Sequence, residues 1–215
     1  MLYRTAVCSL LVACAVTAQA PAIPKDLGLR GDRFRPLKPE ELTPEQRKMI
    51  EHLLAGERAG TTGPFNVLLR SPEMGDLAQQ FGAQMRYHSS IPRKLNEFAI
   101  LITARHWTSQ YEWYAHHRDG LKYGLEESVM DSLAAGKRPA PMDADEEIVY
   151  NFCHELLTKG QVSDANFKAT TGKFGERGAV DLIGTMGYYN MVSMLLNVDR
   201  YPLPDGVKPA LKPLR

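Results

Sequence analysis

Cysteine is nearly absent from this chain. Only Cys8, Cys14 and Cys153 occur among 215 residues. That excludes a disulfide-stapled scaffold and a cysteine-rich zinc module. An excess of charge is absent too. Twenty-six basic residues face 25 acidic ones, for a formal net charge of +1. Nothing in that balance advertises a nucleic-acid partner or an anionic membrane. No convincing alternating strand, internal repeat or low-complexity tract appears. The apolar run near the N-terminus, TAVCSLLVACAVTA, is too short to span a bilayer comfortably. What remains is ordinary in amount: 44% hydrophobic and 24% charged residues, enough for one domain with a real core.

The first eighteen residues read as an export signal. MLYR supplies a positive charge, the apolar run follows, and Val16-Thr17-Ala18 meets the small-residue rule for cleavage, leaving Gln19 as the new N-terminus. A cut after Ala20 would place Pro21 just beyond it, which is unfavourable. Leu11-Val12-Ala13-Cys14 is a second possibility, a lipoprotein box that would make Cys14 a lipidated terminus. Either way a periplasmic or secreted protein without a transmembrane span in its mature form is expected. Cleavage removes Arg4, leaving basic and acidic residues equal at 25. Cys153 is then the one remaining thiol and cannot form an internal disulfide. Stability must come from the core or from oligomerisation.

Residues 19–42 are rich in proline and charge and read as an extended arm. Helical signals dominate residues 43–200. Thr43-Pro44-Glu45-Gln46 combines a hydroxyl N-cap, proline in the first turn and a capping-box glutamine. Met49, Ile50, Leu53 and Leu54 follow at helical spacing. Ser71-Pro72 and Ile91-Pro92 begin two more helices, the second with Leu95, Phe98, Ala99 and Ile102 as its stripe. The next ends near Tyr123-Gly124, and Leu125–Ala135 is short. Asp143 or Asp145 caps a helix bearing Ile148, Val149, Phe152, Leu156 and Leu157. A short helix is predicted from Ser163-Asp164 to Gly172. Residues 176–197 form a long apolar one, read as innermost or as an interface, with Tyr188, Tyr189 and several methionines as core or subunit interface. The tail 201–215 is proline-rich. The expected fold is all-α, one domain of helices packed on helices.

The chemistry concentrates in WTSQYEWYAHH, residues 107–117. On a helix, Ser109, Glu112, Trp113 and His116 share one stripe. A carboxylate one turn from an imidazole fixes its tautomer and raises its pKa. Trp113 would exclude water, while Tyr111 falls on a different face. Glu97 is the one acid in the apolar run LNEFAILITA, and burying it requires a partner. Glu97, Glu112 and His116 could converge. A divalent metal would find three ligands there and no second clear histidine, so no metal is expected. His88 and His117 read as surface groups, and Phe152-Cys153-His154-Glu155 as a buried thiol beside a solvated edge.

The stretch NEFAILITARHWTSQYEWYAHHRDGLKYGL (96–125) resembles the carboxymuconolactone decarboxylase family, which also contains the alkylhydroperoxidase AhpD. The resemblance covers roughly residues 65–135 and, more loosely, the helices after 143. The peroxidase branch carries Glu-x11-Cys-x2-Cys-x3-His. Here those positions hold Glu97, Ser109, Glu112 and His116, so both thiols are missing. The resemblance implies an AhpD-like helical bundle that assembles into trimers or hexamers. It also implies cofactor-free decarboxylation of a small unsaturated lactone or carboxylic acid. His116 would donate the proton or polarise the carbonyl, Glu112 orient it and Glu97 set its protonation. Arg105 or His106 would receive the substrate carboxylate, with Trp113 and Ser109 beside it. A peroxiredoxin-type redox protein and a non-catalytic exported module are the alternatives.

Overall fold

Two helix starts in this protein are written locally, in caps that close on themselves. The structure, a computed structural model, describes residues 22–58 and 60–213. The expected leader, residues 1–18 with Cys14, lies outside the described residues. Among the described residues every regular element is helical. A 3-10 turn, Pro39–Glu41, precedes eight α-helices: α1 (Pro44–Ala55), α2 (Phe65–Leu68), α3 (Pro72–Tyr87), α4 (Arg93–His106), α5 (Gln110–Lys122), α6 (Glu127–Ala134), α7 (Ala144–Lys159) and α8 (Asp164–Asp199). At α1 the Thr43 hydroxyl accepts from the Gln46 amide, and the Gln46 side chain accepts from the Thr43 amide. At α7 Asp143 accepts from the amides of Asp145 and Glu146, and Glu146 closes the box. Lys94 of α4 pairs with both acids at 2.6 and 2.8 Å, tying the start of α7 to α4. Each such cap is worth about 1 kcal/mol.

The sequence expectation placed residues 176–197 innermost or at an interface; the innermost place is taken by α4. All residues from Leu95 to Arg105 are buried, and α5, α7 and α8 all contact this helix. Its apolar side chains join those of α6, α7 and α8 in the main core, with Phe98, Leu101, Val129, Met130 and Leu182 fully enclosed. Each such side chain contributes roughly 1.5–3 kcal/mol by leaving water. Helix α8 instead has two faces. Leu182, Met186, Tyr188 and Tyr189 are buried, whereas Val180, Ile183, Met194 and Val198 are exposed. Polar register marks fix α4 in place: the Asn96 amide donates to the Met85 carbonyl of α3, and Thr185 of α8 donates to the Asn96 oxygen at 2.9 Å.

The two helices expected between 163 and 197 run into each other as α8, with a break at Gly175. Its φ of 71° is left-handed, so glycine fits without strain. The first arm continues past the expected end at Gly172 to that break.

Neither terminal segment is free. Leu27 and Leu42 of the N-terminal arm are buried in a second core with α1, α2 and α3. Asp199, at the end of α8, accepts from the amides of Asp32 and Phe34. In the C-terminal tail Tyr201 and Leu211 are buried. None of the described helices is long and apolar enough to cross a membrane.

Candidate active site

A tight turn sets the site. After α4, Thr108 takes φ 50°, a left-handed conformation unusual for a β-branched residue. The Ser109 amide bonds back to the Ala104 carbonyl at 2.9 Å, and α5 returns along α4. The C-terminal tail straps this turn. Arg105 donates to the Lys212 carbonyl at 2.7 Å, and Gln110 exchanges two hydrogen bonds with the backbone of Leu211.

The return of α5 brings His116 onto Glu97. His116 Nδ1 lies 2.5 Å from Glu97 Oε2, and Nε2 lies 3.1 Å from Glu112 Oε1. The imidazole is 3% exposed and Glu97 is wholly buried. Burial alone would lower the histidine pKa. The charge of Glu97 and the hydrogen bonds the ring donates to both carboxylates more than offset it, raising the group to about 9. His116 is therefore an imidazolium at neutral pH, donating to a carboxylate on each side. Arg93 backs Glu97 at 3.3 Å and stacks on Tyr123 with its carbon 4.8 Å from the ring centroid. Arg86 of α3 pairs with Asp119 at 2.6 Å.

His116 and Glu112 face a pocket of about 150 Å³. Tyr189 closes one wall, its ring edge-on to His116 at 4.9 Å, and Tyr188 stands edge-on to Tyr189 at 5.1 Å. Burial pushes the Tyr189 phenol well up, so it stays a neutral hydroxyl, and that hydroxyl has no hydrogen-bond partner. Arg58, Phe65 and Tyr111, from the chain between α1 and α2, from α2 and from α5, complete the mouth.

Of the residues singled out from sequence, Glu97, Glu112 and His116 are brought together. The four expected to receive substrate are not in the pocket lining. Arg105 and His106 line a separate depression of about 90 Å³ with Tyr150 and His154, because their part of α4 turns toward α7 while Arg105 is engaged by the tail. Trp113 is 3% exposed and belongs to the main core. Ser109 is fully buried, its hydroxyl unpartnered. Conversely, Tyr111 lines the pocket against expectation, and so do Tyr188 and Tyr189, read from sequence as core or subunit interface. Two adjacent phenols within an apolar helix were the available signal. Arg58 and Arg86 carried none, because only the fold brings α3 and the 56–64 loop to α5.

Glu97, His116 and Asp119 place ligating atoms within 4.8 Å of one another. Guanidinium groups already occupy both carboxylates, Arg93 on Glu97 and Arg86 on Asp119. A divalent cation would have to displace them, so the donor set fits a proton network better than a metal. No protein-family model matches the chain, and no curated protein matches it.

Proposed function

We propose that this pocket carries cofactor-free acid–base chemistry, the decarboxylation of a small unsaturated lactone or carboxylic acid, in the manner of the carboxymuconolactone decarboxylase family that the sequence resembles. One observation carries the reading. A buried imidazolium is held between two carboxylates at the wall of a small half-enclosed pocket. Structural ion pairs seldom need a cavity beside them, and perturbed groups in a cleft mark reaction sites. In the proposed reaction the bond to the departing carboxylate breaks. Its electron pair enters the conjugated carbonyl, and CO2 leaves. The resulting dienolate takes a proton at carbon from His116, with Glu112 as the adjacent relay, and solvent restores that proton. Glu97 stays behind the ring and keeps the imidazolium available.

A thiol peroxidase is disfavoured on physical grounds. Ser109 and Glu112 stand where the paired thiols belong. Cys153 is buried in the core, where burial pushes its thiol far up and away from the reactive thiolate. Export and homo-oligomerisation belong to the same proposal. Leu77 and Phe81 of α3 and Val180 and Ile183 of α8 leave apolar side chains exposed, which suits a second copy of the chain.

The test is CO2 release from carboxymuconolactone by wild-type protein and by His116→Asn. Turnover in the first and its loss in the second, with unchanged circular dichroism, supports the proposal. Equal rates would remove His116 from the reaction.

A further inference from the structure

The ion pairs around the pocket do not balance. Three carboxylates, Glu97, Glu112 and Asp119, are matched by Arg93, His116 and Arg86, and Arg118 in the same wall lies 3.7 Å from Asp119. Arg58 is a further cation in the pocket wall, and among the described residues it makes no ion pair and one side-chain hydrogen bond. That bond is to the Tyr188 hydroxyl at 3.4 Å, a neutral and long contact. The guanidinium carbon of Arg58 sits 5.6 Å from the Tyr188 ring centroid and 5.7 Å from that of Phe65, so the group is held between two aromatic faces. It is also backed by α3. A Cβ on Gly82 would come within 2.6 Å of Arg58 Nη2 and within 2.3 Å of the Tyr188 hydroxyl. Glycine at that position makes room for this pair and for nothing larger.

Three polar atoms at this end of the pocket are buried without partners: Arg58 Nε, Arg86 Nε and the Tyr189 hydroxyl. Tyr189 is 2% exposed. Orphaned donors and a surplus positive charge in one half-enclosed place call for an anionic acceptor.

We propose that Arg58, with Arg86 and the Tyr189 hydroxyl, forms an anion-receiving subsite that holds a carboxylate of the ligand beside His116. The proposal rests on the reading of this pocket as the reaction site and assigns its specificity. The ligand is a small unsaturated acid, its carboxylate at the arginine end and its unsaturated skeleton between the tyrosines and His116. A guanidinium suits this role because it offers forked donors in fixed geometry and stacks on aromatic rings.

The probe is furan-2-carboxylate, one unsaturated five-membered ring with one carboxylate. Its neutral control is furan-2-carboxamide. Binding to the purified full-length protein is measured by calorimetry, alongside Arg58→Met and Arg58→Lys. The acid should bind and the amide should not. Arg58→Met should weaken the acid by about tenfold or more, the scale of a lost hydrogen bond to a charged group. Arg58→Lys should retain part of the affinity, which separates lost charge from lost folding. Equal binding of acid and amide, unchanged affinity in Arg58→Met, or no binding of the acid overturns the subsite. Failure here with CO2 release intact leaves the reaction standing without its anion subsite. Arginine-dependent binding with no CO2 release from carboxymuconolactone leaves the subsite standing and removes the reaction.

Discussion

Replacing Glu97 by glutamine tests the electrostatic core of the site. Glu97 is wholly buried, and its charge is the largest influence raising His116. In the unfolded chain the histidine has its ordinary value of 6.5, and in the folded protein about 9. A group held more basic by folding stabilises the native state fully below the lower value. That contribution disappears as pH rises through the higher one. Between pH 6.5 and 9 the unfolded chain has released the proton and the native protein still holds it. Stability should then fall by about 1.4 kcal/mol per pH unit, about 3 kcal/mol across the window. In Glu97→Gln, Glu112 alone supports the imidazolium, and Arg93 loses its partner. Stability at pH 6 should drop by about 3 kcal/mol, the scale of a broken buried pair, and the slope between pH 6.5 and 9 should flatten. Urea unfolding at pH 6, 7.5 and 9 reads both quantities, and an NMR titration of the His116 ring proton follows the site itself. If the variant unfolds with the wild-type pH slope, the Glu97–His116 pair does not govern this histidine.

Two further outcomes are expected. Asp199→Ala removes the acceptor of the Asp32 and Phe34 amides. It should cost about 2 kcal/mol in urea unfolding and open the arm to trypsin at Arg30 or Arg33; resistance equal to wild type would show that the leucines hold the arm alone. In protein beginning at residue 19, Cys153 is fully buried with its thiol pushed up. It should ignore Ellman's reagent at pH 8 until urea unfolds the chain, and fast labelling of native protein would contradict its enclosure.

The legibility of this chain follows the range of the forces involved. The caps at Thr43 and Asp143 were readable because every group in them lies within four residues. The meeting of Glu97 with His116 was readable because an acid in an apolar run must find a partner, and the next helix offered one. The receiving side of the pocket was not readable. Arg105 looked suitable by chemistry and nearness in sequence, yet it faces the tail. Arg58 reaches Tyr188 across 130 positions, and no local pattern encodes such a distance. Trp113 was misplaced for a subtler reason. A helical stripe wide enough to hold it with His116 is also wide enough to straddle a pocket and a core.

The strap across the turn between α4 and α5 couples parts of the chain that lie about a hundred positions apart. Its acceptors are the carbonyls of Leu211 and Lys212, and its donors, Arg105 and Gln110, flank the turn. The turn that aligns Glu97 with His116 is thus fastened from outside the two helices it joins. A disturbance at Leu211 or Lys212 would loosen the approach of α5 to α4, and so reach a pocket that neither residue lines.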